Sequence, residues 1–546
     1  MKTPPALVRS PALWLLVAFF AAEFFLFDHF GSRRHTTVFP RWNDQVQYLG
    51  ESYAGYEYAR AHGFVRGLWQ TLVSPSAQGT LHDFLALIAF SLAGPSRSAA
   101  LALNLLAFIA WQAALFAAVP RRGGSRALAL AVAMLPLALR GPWDNIPGSA
   151  YDFRLDHLAM CALGVTAAFA WLADGFRSRR WSLAFGAAVG LTLLTRFLTG
   201  TYFALIFGSF LAWTLGGTDR RLRTANLMLA AAVAFLLAGP ILWLNRESVW
   251  NYYWIGHYVG PESAIRNPHL GLGRSLAFVW GNLAHRHLGL FFGMLALGGG
   301  AALAFICRGR SRHAGPRQAW IPGAVFLLAP ALVLTLHQQK SEVVVSALVP
   351  GVILLVVALW LGAARDAGTG PASGTFAALP VFACVVAIAA LVFFARGQLT
   401  PAYDPATLAD IRQVNVLADY IFTHVRAAGL ATPRVAADTI TDCLDGQVLR
   451  VICYERQHVW MQFEMTLPTG IAEPAESVVR EQLSRSDFVF LGSDDTPAGP
   501  YPYDQKLAAL RPQLRAWCDA HLRPAVHFTL LGRRVVLYQR REIPFP

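Results

Sequence analysis

Long apolar runs, each closed by a short polar or basic turn, repeat along most of the chain. A helix needs roughly 20 mostly apolar residues to cross a bilayer. The runs that approach this length are Pro11–Phe27, Ala99–Val119, Ala127–Leu139, Leu155–Leu172, Leu183–Leu194, Tyr202–Leu215, Ala225–Leu244, Leu288–Ile306, Trp320–Leu336, Val343–Leu361 and Phe376–Phe394. They predict a polytopic α-helical membrane protein with about eleven transmembrane helices, the shorter runs borrowing flanking residues. Between the first two runs the pattern differs. Gln45–Phe64 sets Tyr48, Tyr53, Tyr56 and Tyr58 among polar residues, and Leu81–Leu92 is apolar but too short to cross comfortably. Both fit helices lying along the interface.

After Arg396 the apolar runs stop. Asp404–Gly429, Ser477–Ser484 and Asp504–His521 read as helices; Arg434–Ala437, Val448–Tyr454, Asp487–Leu491 and Arg534–Gln539 read as strands. Such alternation predicts a small layered α/β domain. The division is then a transmembrane module over residues 1–397, with a first loop at 28–97, and a soluble domain over residues 398–546. No Gly-rich phosphate fingerprint occurs in that domain, so dinucleotide binding is not indicated.

Composition agrees with the pattern. Of 546 residues, 55% are hydrophobic and only 14% charged, where a water-soluble domain carries about a quarter charged residues. The net charge of +14 does not signal nucleic acid. Its basic residues fall in knots between spans: Arg121, Arg122 and Arg126; Arg177, Arg179 and Arg180; Arg220, Arg221 and Arg223; Arg308, Arg310, Arg312 and Arg317; then Arg365. Excess Lys and Arg mark the cytoplasmic side. The alternation predicts a cytoplasmic N-terminus and places the first loop, Gly141–Asp152, Asn245–Arg274 and the C-terminal domain on the outer side of the membrane. No small-x-small cleavage site follows the first run, which reads as an uncleaved anchor. None of the six cysteines has Cys-x-x-Cys spacing. Cys161, Cys307 and Cys384 belong to apolar spans, while Cys443 and Cys453 could pair in an oxidising compartment, leaving Cys518 free.

Ionisable residues near membrane depth are functional candidates by default, and here they collect at the outer ends of spans. Asp44, in Arg41-Trp42-Asn43-Asp44-Gln45, is placed as a general base taking a proton from an acceptor hydroxyl; its bland reading is an N-cap. Glu23 and Asp28 lie at the outer end of the first span. Tyr151-Asp152-Phe153-Arg154-Leu155-Asp156 opens the fourth span, either as a structural Arg–Asp pair or as a cavity lining in which Asp152 and Asp156 supply acids and Arg154 faces phosphate. Arg196 and Lys340 sit on the side where bases are disfavoured. Each either anchors its helix in the headgroups or binds a lipid phosphate, Arg as a fork and Lys as a point charge. Tyr253 and His257, in the aromatic stretch Trp250–Tyr258, belong to an interfacial belt or stack on a sugar.

In their order these features resemble the GT-C superfamily of polytopic glycosyltransferases that use polyprenyl-phosphate sugars, in particular the branch of protein O-mannosyltransferases and aminoarabinose transferases. The matching elements are the first-loop acid at Asn43-Asp44, the break at Gly94-Pro95-Ser96, the Arg154/Asp156 element and Leu194-Thr195-Arg196. The likeness covers residues 11–361. It implies inverting transfer of one sugar from a polyprenyl-phosphate carrier to a glycan, lipid or protein acceptor. Asp44 is then the base, with Arg196, Lys340 and Arg154 facing the phosphate. Many members carry two adjacent acids in the first loop. Asn43 replaces one of them here, which leaves a divalent cation open and no cofactor certain. The rival readings are a transporter or flippase of lipid-linked precursors and a non-catalytic envelope-assembly subunit. Transporters often show inverted repeats and midplane helix breaks, whereas here the polar groups cluster at one face and no repeat is visible.

Overall fold

The computed structural model describes residues 11–38, 43–259, 263, 270–306, 320–365, 373–400, 402–403, 405–430, 433–437, 446–460, 464–465, 475–494, 502–530 and 533–543. The chain is mostly helical. Its first helix, α1 (Pro11–Thr36), carries a wide turn of π-helix at Phe27–Ser32. Next come α2 (Asn43–His62), α3 (Phe64–Val73) and α4 (Leu81–Ala93). The bundle continues through α5 (Arg97–Arg121), α6 (Arg126–Ala138), α7 (Leu155–Leu172), α8 (Arg179–Thr195), α9 (Thr199–Leu215) and α10 (Arg220–Leu244). It is completed by α11 (Arg246–Val249, prolonged as π-helix over Trp250–Val259), α12 (Leu272–Ile306), α13 (Trp320–Leu336), α14 (Val343–Ala364) and α15 (Ser373–Leu399).

All eleven apolar runs are helical. Among the described residues, seven helices are long and apolar enough to cross a membrane by length and composition: α1, α5, α7, α10, α12, α14 and α15. The others are shorter. The helix over Arg126–Ala138 has Leu128 to Leu139 buried without interruption, so protein rather than lipid covers it. Helices α2, α3 and α4 lie together, and Ser52 Oγ donates to Asp83 Oδ1 at 2.6 Å between α2 and α4. At 13 residues, α4 spans only about 20 Å. After Gly94-Pro95, Ser96 restarts the helix by accepting the Ala99 N–H at 3.2 Å.

The C-terminal part follows as α16 (Pro405–Ala427), β1 (Arg434–Ala437), α17 (Gly446–Gln457), β2 (Glu464–Met465), α18 (Glu476–Arg485), β3 (Phe488–Gly492), α19 (Pro502–His521), β4 (Leu522–Leu530) and β5 (Arg533–Arg540). The five strands form one sheet in the order β2-β1-β3-β5-β4, with β1 parallel to β2 and β3, and β5 antiparallel to β3 and β4. Central β3 is buried at every residue, as expected for a strand covered on both faces.

Three expectations need correction. Val448–Tyr454 is helix, not strand: it is the middle of α17, whose Val448, Leu449, Val451, Ile452, Cys453 and Tyr454 are all buried. A short apolar run covered on several sides has no visible period. Strand β4 was missed because Pro524 interrupts it. Pro is tolerated on an edge strand, which is where β4 lies, with a register shift between Pro524 and Val526. The proposed disulfide is not formed. Cys453 is a free, buried thiol donating to the Ala418 carbonyl at 3.6 Å, and Cys443 and Cys307 lie outside the described residues.

Small residues set the closest helix approaches, as is usual between membrane helices. A Cβ on Gly186 of α8 would stand 2.3 Å from the Ala230 carbonyl oxygen of α10, whereas one on Gly208 would meet nothing within 4 Å. Gly186→Val is expected to destabilise the protein by about 1–3 kcal/mol through overpacking, with Gly208→Ala as the neutral control. Thermal unfolding in detergent, followed by size-exclusion chromatography, checks this; equal midpoints for the two variants would remove the close approach.

Candidate active site

The topology brings the flagged residues to one end of the bundle. Helix α7 begins there at Leu155 and α8 returns there at Thr195; the turns at the other end carry the basic knots. Those knots are tied to the turns beside them: Arg122 Nη1 donates to Asp174 Oδ1 at 2.5 Å, and Arg177 Nε lies 3.3 Å from Asp219 Oδ2.

At the acid end, Arg154 is the junction. Its Nη1 lies 3.2 Å from Asp44 Oδ2 and its Nε 2.8 Å from Asp152 Oδ2. Arg196, capping the C-terminus of α8, donates to Asp156 Oδ1 in the first turn of α7. An acid in a helix's first turn also meets the positive end of its dipole. The three acids differ in access: the Asp44 side chain is 52% exposed, Asp152 0% and Asp156 6%. Arg196 Nε is buried with no hydrogen-bond partner among the described residues, a donor still available to an anion.

The loop that supplies Asp152 is held rigidly. Gly148 N–H donates to Asp152 Oδ2 at 2.7 Å. Gly148 has φ +81° and a Cβ there would be 2.3 Å from Val343 Cγ1, so only glycine fits. Asn104 Nδ2 donates to the Ala150 and Asp152 carbonyls at 3.1 and 3.0 Å. Gln45 Nε2 donates to the Tyr151 carbonyl at 3.0 Å, and Tyr151 OH to Gln398 Oε1 at 2.7 Å. The residue next to Asp44 is thereby fastened to the loop carrying Asp152.

Burial pushes the Asp152 carboxyl up to about 7, against the pull of Arg154 and the Gly148 N–H, with Asp44 and Asp156 adding to the rise. Tyr48 stands among the charged groups. Burial raises its phenol well above the ordinary value, Asp44 adds to the rise, and Arg196 opposes it. Tyr48 OH donates to Gln78 Oε1 at 2.7 Å. Burial also raises the Tyr253 phenol, while Arg196 lowers it. Tyr253 is thus within electrostatic reach of the Arg196–Asp156 pair.

Asp44, Asp152, Arg154, Asp156, Arg196 and Tyr253 are thus brought together. His257 is buried one layer further out, with its ring 4.8 Å from Tyr252 and 5.7 Å from His337. Lys340 is placed differently: its Nζ donates to the Leu334, Thr335 and His337 carbonyls at 3.0, 2.8 and 2.6 Å, capping the end of α13. Glu23 accepts from Gln112 Nε2 at 3.2 Å within the bundle. Sequence reasoning missed Tyr48, although it lies four residues from Asp44 and so on the same helix face. It also missed Arg286, whose Nη1 is 2.5 Å from Glu342 Oε1 and whose Nη2 donates to the Pro147 carbonyl at 3.1 Å. Arg286 precedes the Leu288 run much as Lys340 precedes the Val343 run. Gln78 and Asn104 carried no signal. Among the described residues, no group of three or more His, Cys, Asp or Glu could hold a metal ion.

No protein-family model matches the sequence, and no curated protein does. Solved structures do. ArnT from Cupriavidus metallidurans in the apo state superposes with a TM-score of 0.60 at 15% identity, covering 98% of this chain and 100% of that one. The same protein bound to undecaprenyl phosphate gives 0.58 at 14% identity, with the same coverage. This is the GT-C fold. The superposition spans the C-terminal part as well as the bundle, so the α/β unit belongs to the shared architecture. The GT-C likeness is one of fold; the chemistry rests on the residues above.

The Asp152 carboxyl yields a pH prediction. Its pKa is about 7 when folded and about 4 unfolded. The folded state therefore keeps the proton to higher pH. The stability this confers is complete below about pH 4 and is lost as pH rises through about 7. Relative to Asp152→Asn, wild type is expected to lose thermal stability from pH 4 to 7 and then run parallel. An opposite slope, with wild type gaining over that range, would refute the assignment.

Proposed function

We propose that the chain is a membrane glycosyltransferase that moves one sugar from a polyprenyl-phosphate donor to an acceptor hydroxyl at the membrane surface. One observation carries the reading. Of the three clustered acids only Asp44 is open to approach, and Arg154 ties it to the buried ones. An exposed carboxylate fixed by a guanidinium is reachable by an acceptor and already oriented. The fold supports the donor class, because ArnT, which shares it, binds undecaprenyl phosphate.

In this mechanism the acceptor hydroxyl gives its proton to Asp44 as its oxygen bonds to the anomeric carbon. The bond from that carbon to the phosphate oxygen breaks on the opposite side, its electron pair leaving with the polyprenyl phosphate, so the anomeric centre inverts. Arg196, with its available Nε, meets charge growing on the leaving phosphate, and such preorganised donors are a large part of catalysis. Asp156 holds the Arg196 fork in place. Arg154 is shared between Asp44 and Asp152 and sets the direction of the base. Tyr253 offers a ring and hydroxyl beside the same cation, suited to the sugar. Lys340 remains at the end of α13 unless that helix end rearranges, so the phosphate role passes to Arg196.

The active face is proposed to be periplasmic in a bacterial inner membrane, with the basic knots cytoplasmic and the C-terminal domain, residues 398–546, outside. The acceptor is a glycan, a lipid or a protein of the envelope. Mass spectrometry of envelope glycans and polyprenyl-linked sugars, with and without the chain, tests the whole reading. Loss of one sugar residue with build-up of its carrier is expected; unchanged glycans with carrier trapped on one leaflet would make it a transporter. Within that assay Asp44→Asn, at normal protein level, is expected to lower transfer by about 10²–10⁴-fold, the usual worth of a general base. Near wild-type transfer would end the role of Asp44.

A further inference from the structure

The helix that carries Asp44 is held from above by the C-terminal part. Tyr53 of α2, wholly buried, donates its hydroxyl to Glu455 Oε1 of α17 at 2.9 Å. Glu455 Oε2 accepts from Arg97 Nη2 at 3.1 Å, and the same nitrogen donates to the Thr36 carbonyl at 3.0 Å. One carboxylate thus joins α17 to α2, to the start of α5 and, through Arg97, to the end of α1. Tyr454 OH donates to Glu57 Oε1 of α2 at 2.6 Å, with the Tyr454 and Tyr53 rings 4.7 Å apart. Between these contacts and Asp44 lies Gly50, where α17 comes so near that a Cβ would be 3.6 Å from Arg450 Nη2 and 3.9 Å from Val451 Cγ2.

Helix α2 is one unbroken helix from Asn43 to His62. Tyr53 stands about 13 Å along its axis from Asp44, so a tilt at one end moves the other. The Asp44 end is held by Gln45, by Tyr48 on Gln78 and by the Arg154–Asp44 ion pair; the far end is fastened by α17. We propose that α17 is a positioning element for transfer, with Glu455 as its pin: it fixes the tilt of α2 and thereby the aim of Asp44. The proposal rests on Asp44 being the base. Glu455 touches no reacting atom, so it is a positioning residue.

The test uses the full chain in nanodiscs. The donor is the carrier-linked sugar that accumulates in cells lacking the chain, and undecaprenyl phosphate is the binding probe. Glu455→Ala is expected to lower turnover about 10- to 100-fold, the effect of a displacement near 1 Å at the reacting groups, with undecaprenyl phosphate affinity unchanged. Glu455→Gln still accepts from Tyr53 but lacks the charge for Arg97, and should fall between. Adding Gly50→Cys and Val451→Cys to Glu455→Ala puts two thiols across the α2–α17 contact, where a Cβ at 50 would be 3.9 Å from Val451 Cγ2. Oxidation should recover most of the turnover, and reduction should abolish the recovery. A purely structural role would lower turnover, affinity and folded yield together, and no tether would recover turnover alone. Unchanged turnover in Glu455→Ala, or a tether without effect, overturns the proposal. If Glu455→Ala does not fold, Tyr53→Phe, which removes only the hydroxyl, takes its place under the same outcomes. Asp44→Asn is run alongside. If it is active, the reading of the site has failed; if it is inactive while Glu455→Ala is fully active, only the positioning role has.

Discussion

Arg154 between two carboxylates is the constraint on which the site depends. Asp44, Asp152 and Asp156 meet at one helix end, with Arg154 and Arg196 paired to them. Three ionised acids against two bases would leave an uncompensated charge in a partly buried place, which is expensive. The imbalance is relieved at Asp152, where burial lifts the carboxyl to about 7. When Asp152 holds a proton it still accepts the Gly148 N–H, and more of the guanidinium's charge is left to Asp44.

That arrangement needs an unyielding backbone. The loop ahead of α7 is not helical, so its polar groups must find partners elsewhere. Asn104, Gln45 and the Gly148 turn satisfy them, and Tyr151, bonded to Gln398, anchors the loop to the last span. The acids thus report the relative placement of α2, α5, α7 and α15. A perturbation far from Asp44, at Gln398 or Asn104, acts through the same carbonyls.

The bundle was legible because lipid leaves a helix one way to satisfy its backbone and a near-uniform apolar composition for its side chains. Each apolar run is a helix, and Asp152, Arg154, Asp156 and Arg196 stood out because charge at a span's end is rare. What stayed hidden is what composition does not encode. Tyr48 reads as one more interfacial tyrosine until its hydroxyl and ring are seen among Asp44, Arg196 and Asp156. Lys340 looked like a phosphate ligand because only its side of the bundle was readable; its alternative, three carbonyls at a helix C-terminus, depends on the local turn. In the C-terminal part, α17 was misread because burial all round erased its period, and β4 because Pro524 is permitted only at an edge that the sequence does not reveal.

The placement of the exposed acid on a short surface helix also follows from physics. A carboxylate on a spanning helix must be buried or neutralised, as Glu23 is buried against Gln112, and it then cannot meet an acceptor arriving from water. A carboxylate on a free loop would meet the acceptor but lose its aim. An interfacial helix such as α2 satisfies both demands, because one face rests on packed protein and the other meets solvent. That 20-residue rod is held on the bundle side by Gln45, Tyr48 and Ser52. The contacts of Tyr53, Glu57 and Gly50 with α17 add a second hold on its far half. That gives a physical reason for this bundle to keep a folded α/β unit against its first loop.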